Sequence, residues 1–332
     1  MSKKILASIM TFIIFATTLC KVPVFAAITY LDADGVTQSV DNATQITSEL
    51  TTWTGWVYAT GDVTIEPRVQ ISGDVHLILS DNCSLTCNKG IRVVETNSFT
   101  IYAQSIGETK GSLNSITNHP ASAAIGGDVN ESNGSITING GKINADATHG
   151  GDGFGAGIGG GIYGNASNIT INGGDITAIA QDGAGIGSGG DDTKNGVVIA
   201  ENITINDGKI TATSNRGAAI GSGRNSNTNN ITINNGEITA TSTLTGAAIG
   251  SGQNSSVNNI KIENGIIEAS AYGGAGIGSG YRFSGINTSE NITISGGKIK
   301  ATSTYRGAGI GSGYLGSASN ITIKDGTITA TA

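Results

Sequence analysis

A strand-sized block that is mostly glycine recurs down the second half of the chain, although glycine is the residue least able to hold a strand. Seven copies of a Gly-Ala-Gly-Ile-Gly block occur, with Ile at 125, 158, 186, 220, 249, 277 and 310, and each is followed by an Ile-Thr-Ile-like block. The distance from the first Ile to the second block is 11 residues in five of the seven repeats, 17 from Ile186 to Ile203 and 15 from Ile277 to Ile292. The return distance is 17 or 18, except for 22 after Ile136. A unit of about 28 residues therefore accepts insertions at two places only. Constant strands with variable loops at fixed sites are the mark of a solenoid.

Each unit reads as three short strands. In "NITIN", Ile169 and Ile171 share one face, and Asn168, Thr170 and Asn172 the other. In "KITAT", Ile210 and Ala212 point in and Thr211 and Thr213 out. Between them lies a pair such as Gly173-Gly174, Asp207-Gly208, Asn235-Gly236 or Asp325-Gly326, whose second member is glycine in all seven copies, as a turn needing positive φ requires. Such pairs also start hairpins, so an antiparallel meander competes. Hairpins, however, do not demand the same side chain at the same place in every unit. Stacked coils do, because each Ile then lies one strand spacing, about 4.8 Å, from its counterpart. The columns Ile138, Ile171, Ile205, Ile233, Ile262, Ile294, Ile323 and Ile143, Ile176, Ile210, Ile238, Ile267, Ile299, Ile328 are expected to be interior ladders. The fold class is all-β, a right-handed parallel β-helix.

The same frame extends backwards through "RVQIS", "VHLIL" and "SLTC", giving about nine three-stranded coils from Arg68 to Thr331, with the clear repeats starting near residue 121. Residues 28–66, with Trp53 and Trp56, are assigned to an N-terminal cap and 67–332 to the β-helix. The chain stops at "DGTITATA" within an ordinary coil; the open strand edge there is expected to self-associate, to meet another partner or to fray. In "GAGIGSG", alternation places Ala184, Ile186 and Ser188 inside and Gly185 and Gly187 outside, with Ala219 and Ala248 as the largest outward departures. Two explanations stand: close coil packing or tight curvature needs glycine there, or a smooth outer strip admits a flat ligand.

Residues 1–27 read as a secretory signal, with Lys3 and Lys4, an apolar stretch and cleavage after Ala26 or Ala27. Cys20 raises lipidation, but Leu19 stands where a small residue is required. No later segment is apolar and long enough to span a membrane, so the mature protein is expected to be extracellular and held, if at the cell surface, by non-covalent contacts. A net charge of −7 offers no basic patch for nucleic acid. Cys83 and Cys87 would lie about 13 Å apart along one strand, too far for a disulfide, and without histidines they make no zinc site. They read as small buried residues.

Catalysis would need ionisable groups that converge. Asp191-Asp192 is the one adjacent acidic pair, and His76, His119 and His149 are scattered. Glycoside hydrolysis needs two opposed carboxylates and a calcium-dependent lyase a converging ligand set; neither is seen. The chain is therefore expected to be non-catalytic, with no cofactor and no metal. Outward pairs such as Thr211/Thr213 resemble the flat arrays of ice-binding β-helices, but Asp146, Glu268 and Lys300 break the lattice. The candidate ligand site borders the glycine strip: Tyr163, Tyr281 and Tyr314 follow it, Tyr272 and Tyr305 precede it, Phe154 is near, and Arg282 and Arg306 are adjacent. Aromatic faces pack on sugar rings while Asn, Thr and Arg reach hydroxyls. The plainer alternative is that these tyrosines cover strand ends.

"GDVHLILSDNCSLT", "SFTIYAQS" and the repeated "GAGIGSG…NITINGG" resemble the secreted β-helix surface proteins of clostridia and related Gram-positive bacteria, often described as carbohydrate-binding-domain proteins. The resemblance spans residues 28–332 and implies polysaccharide binding at a bacterial surface. It transfers no catalytic residue. A purely structural or adhesive repeat protein and a pectin-active lyase or hydrolase remain the alternatives.

Overall fold

The computed structural model describes residues 27–148, 153–193, 198–284 and 287–332. Residues 1–26 of the expected signal segment and His149 lie outside them. A typical unit holds β14 (Ile158–Gly159), β15 (Ala166–Ile171) and β16 (Asp175–Ile179), and the next holds β17 (Ile186–Gly187), β18 (Ile199–Ile205) and β19 (Lys209–Ser214). β14 pairs with β17, β15 with β18 and β16 with β19, every pair parallel and in register. Both predicted isoleucine ladders form: Ile171 faces Ile205 and then Ile233, and Ile176 faces Ile210 and then Ile238. Nearly all the ladder isoleucines are fully buried. A parallel β-helix is what the sequence specified.

The third strands form a ten-stranded sheet, one rung more than the nine coils read from the sequence. The added rung is β5 (Asp62–Ile65), which pairs with β7 (Ser84–Cys87). β4 (Thr52–Ala59) likewise pairs in parallel with β6 (Val69–Leu79). Residues 52–65 thus form a coil of the solenoid itself. Trp53 is fully buried there, its ring 6.0 Å from that of Phe99 and its Nε1 donating to Leu50 O at 3.0 Å. Upstream, β1 (Ile28–Leu31) and β2 (Thr37–Val40) make an antiparallel hairpin. It docks on the outer face, where the Tyr30 ring lies 4.8 Å from Trp56 and 4.7 Å from Tyr102. Ile78 points outward by parity yet is fully buried at this place.

The glycine strip requires a correction. Alternation cannot run through "GAGIGSG", because β17 is only two residues long and Gly187 leaves it at φ +140°. Ala219 and Ala248, expected outside, are fully buried and belong to the core. Gly185 and Gly187 are buried as well. A Cβ on Gly187 would stand 1.7 Å from Gly221 O of the next coil, and one on Gly185 would stand 2.6 Å from Ala219 O. The segments before and after the strand are stitched together above it: Asp182 N donates to Gly153 O, Gly190 N to Phe154 O and Arg224 N to Asp182 O. Backbone therefore covers backbone, and no smooth outer strip is left for a ligand. Close coil packing is the reason for the glycine.

The first of these glycine loops, at 122–127, is held from the side of the preceding coils by an arginine. Arg68 donates to Lys89 O at 2.9 Å and to Ala123 O at 3.0 Å, with its Nε 3.5 Å from Asp128. Burial lowers the Arg68 pKa, and Asp128 opposes that shift.

Cys83 and Cys87 are free and buried. Burial pushes their thiols up, to about 11 and about 12. Only the thiolate attacks an alkylating reagent, so neither cysteine of the native protein should react with iodoacetamide at pH 8, while both should after denaturation. The shifts also set a pH dependence. A folded pKa above the ordinary thiol value of 9.0 means that the folded state holds the proton more tightly. That stabilisation is complete below about pH 9 and is lost as pH rises towards 11 and 12. Cys83→Ala/Cys87→Ala should flatten the fall in melting temperature over that window; an unchanged slope would refute the assignment.

Candidate functional site

Two columns of side chains flank the buried glycine loops. Five residues before the Ile of each loop stand Leu244, Tyr272 and Tyr305, and four residues after it stand Gln253, Tyr281 and Tyr314. Register locks Ile249, Ile277 and Ile310 together, so residues at equal offsets come one above another. The Tyr272 and Tyr305 rings stack with centroids 5.2 Å apart and planes 9° from parallel. Tyr281 and Tyr314 lie 4.8 Å apart, tilted by 32°. Arg306 joins the two columns: its guanidinium carbon is 4.9 Å from the Tyr305 ring centre and 5.0 Å from that of Tyr314. Tyr272 is 48% exposed and Tyr305 37%. Arg282 lies against the same group, its backbone N donating to Tyr314 O at 3.1 Å and its Nη1 to Leu315 O at 3.2 Å.

Six of the seven candidate residues thus form one ridge over the last coils. Tyr163 does not. It follows Ile158 by five residues where Tyr281 follows Ile277 by four, and Ile162 takes the matching place: Ile162 N donates to Ala121 O as Tyr281 N does to Thr245 O. Tyr163 sits at φ +60° four coils away, and its hydroxyl donates to Asp192. That hydrogen bond raises the Tyr163 pKa. Phe154 is also elsewhere, 5.8 Å beneath the guanidinium of Arg224.

Two features escaped the sequence reading, one on this ridge and one in the earlier coils. Phe283, 66% exposed, packs 4.5 Å from Tyr281; it lies in an inserted loop, and the other repeat with an insertion there has no aromatic residue in it, so no column pointed to it. Asp182 is 2% exposed and accepts from Arg216 at 2.9 Å and Arg224 at 3.1 Å. Its neighbours Gly183 and Gln181 gave no signal of a buried carboxylate.

The acidic pair weighed for catalysis is divided between different partners. Asp191 is buried and accepts from Thr193 N at 2.7 Å, whereas Asp192 accepts from Tyr163. Among the described residues no three His, Cys, Asp or Glu side chains group as a metal site would. His76 stacks on Trp56 with its Nε2 3.1 Å from Asp74, and His119 faces Ser122.

Parallel three-stranded coils with in-register ladders define a parallel β-helix repeat protein. The model of the beta helix repeat family matches the chain at 136–162, 169–190, 203–224, 231–253, 260–281 and 292–314. Those segments are the units described above, and the last two carry Tyr272, Tyr281, Tyr305, Arg306 and Tyr314. Comparisons with curated proteins and with solved structures give no significant match.

Proposed function

We propose that the protein binds extracellular polysaccharide without cleaving it, through the ridge of Tyr272, Tyr281, Tyr305, Arg306 and Tyr314. The observation that carries this reading is the gathering of an exposed ring pair, a half-buried ring pair and a stacked guanidinium into one ridge, in a chain with only 5% aromatic residues. Rings of this kind present apolar surface to the C–H faces of a sugar, and their hydroxyls and the guanidinium meet its polar rim. Consecutive coils place equivalent groups about 4.8 Å apart, an arrangement that suits a repeating polymer. The non-catalytic part of the proposal is supported by the division of Asp191 and Asp192 between different partners.

One observation favours a second reading. The rings also face each other across the coil boundary, which stabilises stacking by about 0.5–1.5 kcal/mol per pair; a structural or adhesive surface protein would need nothing more. The experiment that separates the two is retention on insoluble polysaccharides for Tyr281→Ala/Tyr314→Ala. Sugar binding predicts a loss of about 1–3 kcal/mol in affinity with only a small change in melting temperature. Lower stability with retention unchanged on every polymer that the wild type binds would establish the structural reading instead. Release of soluble sugar from any of those polymers would overturn the non-catalytic assignment.

A further inference from the structure

The chain has six arginines. Four are neutralised: Arg68 by Asp128 at 3.5 Å, Arg92 by Glu131, and Arg216 and Arg224 by Asp182 at 2.9 and 3.1 Å. Arg282 and Arg306 form no ion pair among the described residues, and both flank Tyr314. Arg282 is tied to the backbone of Tyr314 and Leu315, and Arg306 stands over the Tyr314 ring. In a protein of net charge −7, uncompensated guanidinium groups concentrated at one place leave a local positive field within an acidic surface. Each is also held in place, Arg306 by the faces of two tyrosines and Arg282 by Leu315 O, so little side-chain entropy is left to lose on meeting a partner.

We propose that Arg282 and Arg306 recognise an acidic group on the polymer, so that the ligand is an anionic glycan bearing carboxylate, sulfate or phosphate. A planar guanidinium donates two parallel hydrogen bonds to any of these groups, while the adjacent rings of Tyr281 and Tyr314 serve the sugar backbone. This assignment rests on the ridge being the polysaccharide site; it adds the charge class of the ligand and the residues that read it.

The test compares matched polymers: unmodified cellulose against its carboxylated, phosphorylated and sulfated forms, in affinity electrophoresis or pull-down. Wild type should be retained about tenfold more strongly on at least one charged form than on the neutral one, and the advantage should vanish in about 1 M salt, where charges are screened over about 3 Å. The charged form preferred identifies the acidic group. Arg282→Gln/Arg306→Gln should bring the charged-to-neutral retention ratio down to about one, whatever neutral-polymer retention the loss of Arg306 itself removes. Arg306→Gln alone removes a side chain that makes no hydrogen bond within the described residues, and it should halve the effect with only the small fall in melting temperature that its lost ring contacts bring. Equal retention on charged and neutral polymers, or a preference that survives in the double variant, overturns the anionic assignment and leaves the polysaccharide reading standing. No retention on any of these polymers defeats both.

Discussion

Gly187→Ala should destabilise the protein by at least about 3 kcal/mol, more than a methyl group does at almost any other surface or core position. Two independent effects add. The backbone of Gly187 sits at φ +140°, which an L-residue reaches only with strain of about 1–3 kcal/mol. The new Cβ would also stand 1.7 Å from Gly221 O, so the coils must part there and the parallel ladder between β17 and its neighbour must lengthen. Because each coil touches only its neighbours, the damage should be local: amide exchange should accelerate around Ile186 and Ile220 and remain slow near Ile71 and Val75. Gly107→Ala is the control. No atom lies within 4 Å of a Cβ placed there and its φ is ordinary, so the change should stay within about 0.5 kcal/mol. Equal denaturant midpoints for the two variants would refute the claim that backbone contact between coils is what fixes glycine in this block.

The contrast between these two glycines shows where sequence reading succeeded and where it stopped. The isoleucine ladders were legible because a parallel, in-register stack puts identical residues on one another, and spacing alone then reveals the columns. The glycine block was misread because alternation presumes a continuous β backbone, and a two-residue strand ending at positive φ has none. The outward place read for Asn168 holds, since Asn168, Asn202, Asn230, Asn259, Asn291 and Asn320 are all exposed; what alternation did not show is that all six adopt φ between 54 and 61°, the left-handed region that asparagine tolerates best among residues with a side chain. From Asn202 onwards their amides join successive coils, as in Asn259 Nδ2 to Asn230 Oδ1 at 3.1 Å. On the ridge, offset from the ladder isoleucine was the usable signal: it pairs Tyr272 with Tyr305 and Tyr281 with Tyr314, and it separates Tyr163 by a single residue. The N-terminal boundary was obscured for a different reason. β4 and β5 pair with the solenoid through Trp53, Val57 and Ile65, residues unlike those of the later ladders, so pairing there depends on shape rather than on repetition.

Ile205→Asp should be the second severe change, and it tests the interior of the ladder as Gly187 tests the contact between coils. Ile205 is fully buried, with Ile171 on one side and Ile233 on the other. Losing its side chain from the core forfeits about 1.5–3 kcal/mol of burial. The carboxylate that replaces it finds only isoleucine above and below, so the folded state must keep it protonated or pull water between coils. Its folded pKa will therefore rise above the unfolded value of about 3.9. A raised folded pKa means stability is greatest below pH 4 and falls as pH climbs, by up to about 1.4 kcal/mol per unit until the folded carboxyl ionises. The deficit relative to wild type should accordingly be larger at pH 7 than at pH 4.5. Thr204→Asp, one residue away, places the same group on the partly exposed face between Thr170 and Thr232, and should be mild with little dependence on pH. Chemical denaturation of both variants at the two pH values decides the matter: parallel losses, or a deficit for Ile205→Asp that does not grow with pH, would mean that Ile205 does not face a dry interior.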